Sequence, residues 1–390
     1  MLHPMEVIQK TIKSYGIDAI TLFISFISVI TIASFILWDA NLAKTVIDNI
    51  YSLVVSYFGS SYLILAIVSF LFLIILATSK YGKHVLGGQD TSPEFSYFSW
   101  IGMLFCSGIG GGIIYWSGVE WAYYVGIPQF SIEAYSSEAY SLATAYGLFH
   151  WGLSAWSIYG IPAIALSIVF YKYNLNSLRL SSSLKGLGIP DIESSYFGRF
   201  IDLIFILATV GAAGGTIGSY IPMLSSGLTD LFNINNGLHI DIGVILICVA
   251  LFGYSVYRGL EKGIRILSNF NLILALVFLC LIVFSTDLKE LIQLSISGIQ
   301  YSFSYFWNMS TLGISEPSDF AKEWTIFYWA WWVAFGPLVG LFIARISKGR
   351  SLRQVITGML FFGTLGTWLF YLVLGGYSMI GELNNEINVV

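Results

Sequence analysis

The feature that most constrains this chain is its set of long apolar runs. Continuous, predominantly apolar stretches occupy residues 19–38, 53–78, 98–125, 141–171, 200–229, 240–257, 265–285, 324–346 and 354–376, each near or above the ~20 residues that a helix needs to cross a bilayer core. Strands of an outer-membrane barrel would alternate apolar and polar residues instead, so that architecture is excluded. So is a soluble domain, because 56% of the 390 residues are hydrophobic and only 10% charged, where soluble domains carry roughly a quarter. The expected fold is an all-α polytopic membrane protein with nine spans. A tenth segment, 291–307, reads LIQLSISGIQYSFSYFW; its mixture of apolar and small polar residues suits an amphipathic helix lying on the membrane surface.

Orientation follows from the basic residues, which cytoplasmic loops retain. With the N-terminus inside, fifteen Lys and Arg fall in cytoplasmic segments and only Lys44, Lys289 and Lys322 outside. Residues 1–18 are then a cytoplasmic N-terminal segment, and 377–390 an extracytoplasmic tail. The first apolar run lacks a cleavage site and is long enough to span, so no signal peptide is read. A net charge of −4 with scattered basic residues offers no surface for nucleic acid. Cys106, Cys248 and Cys280 lie in apolar runs without a CxxC pair and are read as packing residues. His3, His84, His150 and His239 are too dispersed for a metal cluster, and only His150 lies inside an apolar segment.

The third run contains Cys106-Ser107-Gly108-Ile109-Gly110-Gly111-Gly112. Four glycines in five residues cannot hold a continuous helix cheaply, each costing about 1 kcal/mol relative to Ala. Close helix packing could use such a run; the sharper reading is an unwound segment whose backbone lines a polar cavity. In the fifth run, Gly211, Gly214, Gly215 and Gly218 precede Pro222, and there packing is the better reading.

Two runs concentrate aromatic residues. In the fourth, Trp151, Trp156 and Tyr159 share an arc of roughly 140° on a regular helix. In the eighth, Trp324, Tyr328, Trp332 and Phe335 form one stripe, of which Trp324 near the outer end reads as interfacial belt. Deep tryptophans need a partner for the indole N–H and so suggest a wet or ligand-holding interior. Ring faces at depth suit a quaternary ammonium group, which cannot donate N–H bonds but gains roughly 0.5–2 kcal/mol per desolvated ring. The cage can be neutral. Glu120, the one acid near the glycine run, is read equally well as an interfacial cap. With no intramembrane acid, base or metal cluster in view, enzyme chemistry is not expected.

GMLFCSGIGGGIIYWSGVEWAYY, GLFHWGLSAWSIYG, GLEKGIRILSNFN and EWTIFYWAWWVAFGPLVGLFIARISKGRSLRQVITG resemble, in order and spacing, the betaine/carnitine/choline transporter family. The resemblance implies a leucine-transporter-like fold: two peripheral helices (19–78), a first five-helix inverted repeat (98–285), the amphipathic helix 291–307 as a linker, and a second repeat. Only two helices of that second repeat (324–376) have counterparts here, so it is expected to be incomplete, in a fragment or in a natural nine-span relative. Carried over, the resemblance makes Trp151, Trp156, Tyr159 and Trp332 the aromatic box for a trimethylammonium group. The backbone at Gly108, Gly110 and Gly112 would face a substrate carboxylate, with Trp331 and Phe335 on the access path. Phe335 stands where the family usually has a tryptophan and Gly336 where it has a serine.

A sodium ion would use carbonyls near Cys106 and Ile109. Asn271 or its neighbour Leu272 stands where sodium-independent exchangers carry an arginine, which favours sodium as coupling ion. The rest of that ion site belongs to a helix without a counterpart here. The implied activity is sodium-coupled symport of glycine betaine, choline, carnitine or a similar compound across the plasma (inner) membrane by a protein that is often a homotrimer. The competing expectation is a non-transporting, binding-only relative. No cofactor beyond sodium is implied.

Overall fold

The computed structural model describes residues 18–108, 110–173, 179–189, 191–259, 263 and 265–389. Of the expected N-terminal segment only Asp18 is among them, and Ile109 lies outside them. Thirteen helices organise the described chain. They are α1 (Ala19–Trp38), α2 (Ala40–Thr78), α3 (Tyr97–Ser107), α4 (Gly111–Val125), α5 (Ser137–His150), α6 (Leu153–Lys172), α7 (Tyr196–Phe232), α8 (Leu238–Tyr257) and α9 (Arg265–Phe284). α10 (Leu288–Ser304) and α11 (Phe306–Thr311) follow, then α12 (Ala321–Ile346) and α13 (Leu352–Leu383), both containing π-turns. Among the described residues there is no strand, only one antiparallel bridge between Val85 and Ser351. Among the described residues, eight helical stretches are long and apolar enough to cross a membrane, or nine with α3 and α4 counted as one broken span. The chain is thus an all-α polytopic membrane protein.

Caps divide the chain where the sequence supplies acceptors. Asp39 both ends α1 and starts α2, its carboxylate accepting from the Leu42 N–H (2.9 Å), so a single residue turns the chain around. Several expected boundaries move, α2 beginning at Ala40 and not at 53. The third run is broken, with α3 and α4 meeting at 54°. The fourth is interrupted at Trp151 and Gly152, between α5 and α6. The ninth continues helically to Leu383, so residues 377–383 extend the last helix instead of beginning a tail. The segment expected to lie flat is α10; it turns Leu291, Gly298 and Ser302 inward, with Gly298 so close to α5 that an added Cβ would stand 2.4 Å from Thr144.

Packing is densest around α6 and α12. At Gly340 an added Cβ would stand 2.8 Å from the Ala163 nitrogen, so only glycine lets these backbones approach. Pro162 and Pro337 lie within the two helices. By contrast, α7, α8 and α9 carry Leu, Ile and Phe on all sides: only 6% of the most apolar window of α7 is buried, against 67% for the stretch holding α5 and α6. A helix apolar all round belongs in a hydrocarbon or buried setting. The glycines of α7 do not serve the packing expected of them, because a Cβ on Gly211, Gly214, Gly215 or Gly218 would meet nothing within 4 Å. Cys280 is exposed on α9 instead of packed.

The connecting segments gather at two ends. At one, Tyr51 Oη donates to the Lys322 carbonyl (2.6 Å). At the other, Arg353 donates to the Ala77 carbonyl (2.6 Å), and Arg350 to that of Phe95 (2.9 Å) while lying over the rings of Tyr97 and Trp100. Arg199 and Arg179 hold Asp18 there at 2.8 and 3.4 Å. Burial raises the Asp18 carboxyl's pKa, but the Arg199 and Thr21 hydrogen bonds outweigh it and leave the group below its ordinary value.

Candidate functional site

The break in α5–α6 builds the site. Trp151 ends α5, and Gly152 turns the chain where an added Cβ would stand 2.3 Å from the Leu148 carbonyl oxygen. The interruption frees carbonyls that α13 then satisfies: Trp368 Nε1 donates to Leu148 (2.8 Å) and Thr367 Oγ1 to Trp151 (2.5 Å). At membrane depth such freed groups must find protein or water partners. The consequence is that Trp151 is held at the junction and not on a continuous helix, as its spacing from Trp156 and Tyr159 had suggested.

The expected aromatic residues converge. Ring centroids of Trp332 lie 4.5 Å from Tyr159, 5.6 Å from Trp151 and 6.1 Å from Trp156. Trp151, Tyr159 and Trp332 line a cavity of about 280 Å³, together with Trp331, Phe335, Gly108, Gly110 and Gly112. Trp156 is not in that lining; its fully buried ring is wedged between Gly108 and Gly363, where added Cβ atoms would stand 2.4 and 2.5 Å from it. Trp331 also lines a second cavity of about 390 Å³ with Tyr51, Trp116 and residues of α7 including Gly211 and Gly215. A Cβ at Gly336 would meet Pro162, Tyr159 and the Ile158 carbonyl, all beyond 3.5 Å, so a serine could stand there without displacing α6.

The glycine run does open the helix: Gly108 ends α3 and Gly110 starts α4 with no side-chain cap. The Ile113 N–H closes on the Gly110 carbonyl (3.1 Å), and no side chain caps the N–H groups ahead of it, an arrangement that suits a ligand or water. Cys106 lies a residue short of that break and outside the cavity lining. Its thiol donates to the Ser268 carbonyl (3.2 Å), and Asn271 Nδ2 is 3.9 Å from its sulfur. Leu272 packs against Gly102, 3.3 Å from an added Cβ.

Two functional candidates escaped the sequence reading. Tyr328 lines the cavity, and its place between Trp324 and Trp332 on the stripe was the signal for it. Glu120 is fully buried, not an interfacial cap. Its carboxylate accepts from Tyr124 Oη (2.6 Å), Tyr328 Oη (2.5 Å) and Trp151 Nε1 (3.3 Å), and from the Tyr371 hydroxyl. His150 Nδ1 stands 3.7 Å from it and 3.1 Å from Tyr124 Oη, and His150 Nε2 is 3.0 Å from Thr325 Oγ1. An intramembrane acid–imidazole pair therefore exists where none was expected, because residues 30 apart in sequence meet only through the fold. Trp324, half-buried, packs edge-on against Tyr124 at 4.8 Å.

Comparison with known proteins agrees with the motifs. Residues 20–390 match the betaine/carnitine/choline family transporter description. The chain is 32% identical over 389 residues to glycine betaine transporter 1 of Vibrio parahaemolyticus, covering 97% of this chain and 73% of that protein. It is 30% identical to the ectoine/hydroxyectoine transporter of Virgibacillus pantothenticus, covering 98% and 75%. Against the high-affinity choline transport protein of Escherichia coli K12 it is 33% identical, covering 83% of this chain and 47% of that one. With this match running nearly end to end over a bundle whose broken helices and ringed cavity carry the family's motifs, the chain belongs to the betaine/carnitine/choline transporter family.

Proposed function

We propose that this chain binds a methylated quaternary ammonium solute, of the glycine betaine, choline or carnitine kind, and carries it across the plasma membrane by alternating access. The observation that carries the reading is the meeting of Trp151, Tyr159 and Trp332 on the same cavity as Gly108, Gly110 and Gly112. Ring faces attract the ammonium, and the uncapped start of α4 suits a carboxylate at the solute's other end. Trp331, shared between the two cavities, stands on the route by which the solute enters.

Sodium is the proposed coupling ion. Asn271 puts a neutral amide beside Cys106, so no fixed cation substitutes for the ion there. The N-terminus is proposed to be cytoplasmic, in keeping with the meeting of Tyr51 with Lys322 at one end and of Arg353 with Ala77 at the other.

The test is uptake of labelled betaine, choline and carnitine into proteoliposomes under an inward sodium gradient. Accumulation that disappears when potassium replaces sodium is the expected result. Accumulation indifferent to that replacement overturns the coupling, and binding without accumulation overturns transport in favour of a binding-only protein.

A further inference from the structure

Glu120 is fully enclosed, yet it does not touch the cavity. It lies one ring layer behind it: Trp151 and Tyr328, both in the cavity lining, turn their N–H and O–H back onto its carboxylate. Tyr371 from α13 and Tyr124 from α4 complete the set. We propose that Glu120 is held as an ionised carboxylate behind the aromatic cage and is the positioning residue that makes the site prefer a cation over a neutral solute of the same shape.

The donors gathered around it favour that state. An ionised carboxylate accepts at about four positions, and three phenols with one indole supply four donors. Tyr328 and Tyr371 direct their hydroxyls at Glu120, so a protonated carboxyl would turn an O–H toward groups that need an acceptor. Charge-assisted bonds of this kind are the stronger ones. Tyr124 has a single proton and spends it on Glu120 at 2.6 Å, so its oxygen must accept from His150 Nδ1 at 3.1 Å. His150 then carries its proton on Nδ1, and Nε2 accepts from Thr325 Oγ1. The arrangement ties the start of α12 through His150 and Tyr124 to the charge behind the cage.

This inference rests on the quaternary ammonium reading and refines it. A trimethylammonium group has no N–H to donate, so a carboxylate gains little by touching it. A negative charge one ring away, in a medium with little water, still acts on the ligand's charge. The same carboxylate orients Trp151 and Tyr328, two walls of the cavity. The cage is therefore charged from behind instead of neutral.

The experiment compares two probes of nearly one shape, choline and its uncharged carbon analogue 3,3-dimethylbutan-1-ol. Both are titrated calorimetrically against the full chain in detergent and against Glu120→Gln and Glu120→Asp. Glu120→Gln is expected to weaken choline by about tenfold or more while changing the neutral probe by less than about threefold. Glu120→Asp, which keeps the charge, is expected to restore most of the preference. Equal weakening of both probes would make Glu120 a structural member only, and an unchanged ratio would remove it from the site; either overturns the proposal. Should Glu120→Gln fail to fold, as read by thermal melting, Glu120→Asp decides, since loss of cation preference with the charge retained also overturns it. A wild-type chain that binds neither probe refutes the quaternary ammonium reading and this inference with it, whereas wild-type choline binding with an unaltered ratio in the variant refutes this inference alone.

Discussion

Trp332 is the residue on which the cage centres, because its ring reaches Tyr159, Trp151 and Trp156 within 6.1 Å. Replacing Trp332 by Ala should weaken choline or betaine by about 1–2 kcal/mol, the worth of one desolvated cation–π wall, and Trp332→Phe should lose less. Calorimetric titration of the purified chain measures both; unchanged affinity in the alanine variant would take Trp332 out of the site. Trp156 belongs to a different class. It lies behind the cage between Gly108 and Gly363, so Trp156→Ala is expected to lower thermal stability by about 3–5 kcal/mol through the cavity it leaves. Equilibrium unfolding checks it, and an unaltered midpoint with reduced ligand affinity would return Trp156 to the cage wall.

At the scale of elements, the junction of α3 and α4 separates two uses of glycine. A Cβ at Gly108 would stand 2.4 Å from Trp156, whereas one at Gly110 meets nothing within 4 Å. Gly108→Ala should therefore cost stability, and Gly110→Leu should leave the fold intact while filling the space a ligand needs. Thermal melting and ligand titration on one preparation distinguish them; a misfolded Gly110→Leu with residual binding would make that glycine a packing residue. The N-terminus of α1 supplies a pH prediction. The Asp18 carboxyl lies below its ordinary value, so its ion pairs with Arg199 and Arg179 stabilise the fold above the unfolded-state pKa, and that contribution is lost as pH falls through the depressed value. Asp18→Asn should lower stability at neutral pH and shrink the gap to wild type below about pH 4, as read from melting temperature across pH. A gap that stays constant on acidification would mean that the pairs contribute nothing.

For the whole molecule, two ends collect different connecting segments, and the orientation proposed above from the distribution of Lys and Arg puts the end holding Arg350 and Arg353 in the cytoplasm. Single cysteines introduced at Lys44 and at Lys185 should react with an impermeant maleimide from opposite faces, Lys44 from outside. Labelling of Lys185→Cys in intact cells would invert the topology. The unequal burial of α5–α6 and α7 also divides the bundle into a densely packed part that holds the cavity and helices whose apolar surfaces face outward.

The order of residues alone settles the solvent and the parts. Runs of twenty apolar residues can be satisfied only as helices in a bilayer, the glycine run could not stay helical, and local periodicity was enough to group Trp156 with Tyr159 and Tyr328 with Trp332 on their helix faces. Tertiary structure alone decided how those faces meet. The break at Trp151–Gly152 is stabilised by Thr367 and Trp368, more than 200 residues away, and no local signal announces such partners. Trp156 fell behind the cage because two glycines from different helices close on its ring. Glu120 is the clearest case. A lone acid near the end of an apolar run reads locally as a residue at the water interface, and only the convergence of Tyr124, Trp151, Tyr328 and Tyr371 on it makes a buried charge affordable, because its solvation is supplied by four donors drawn from separate parts of the chain.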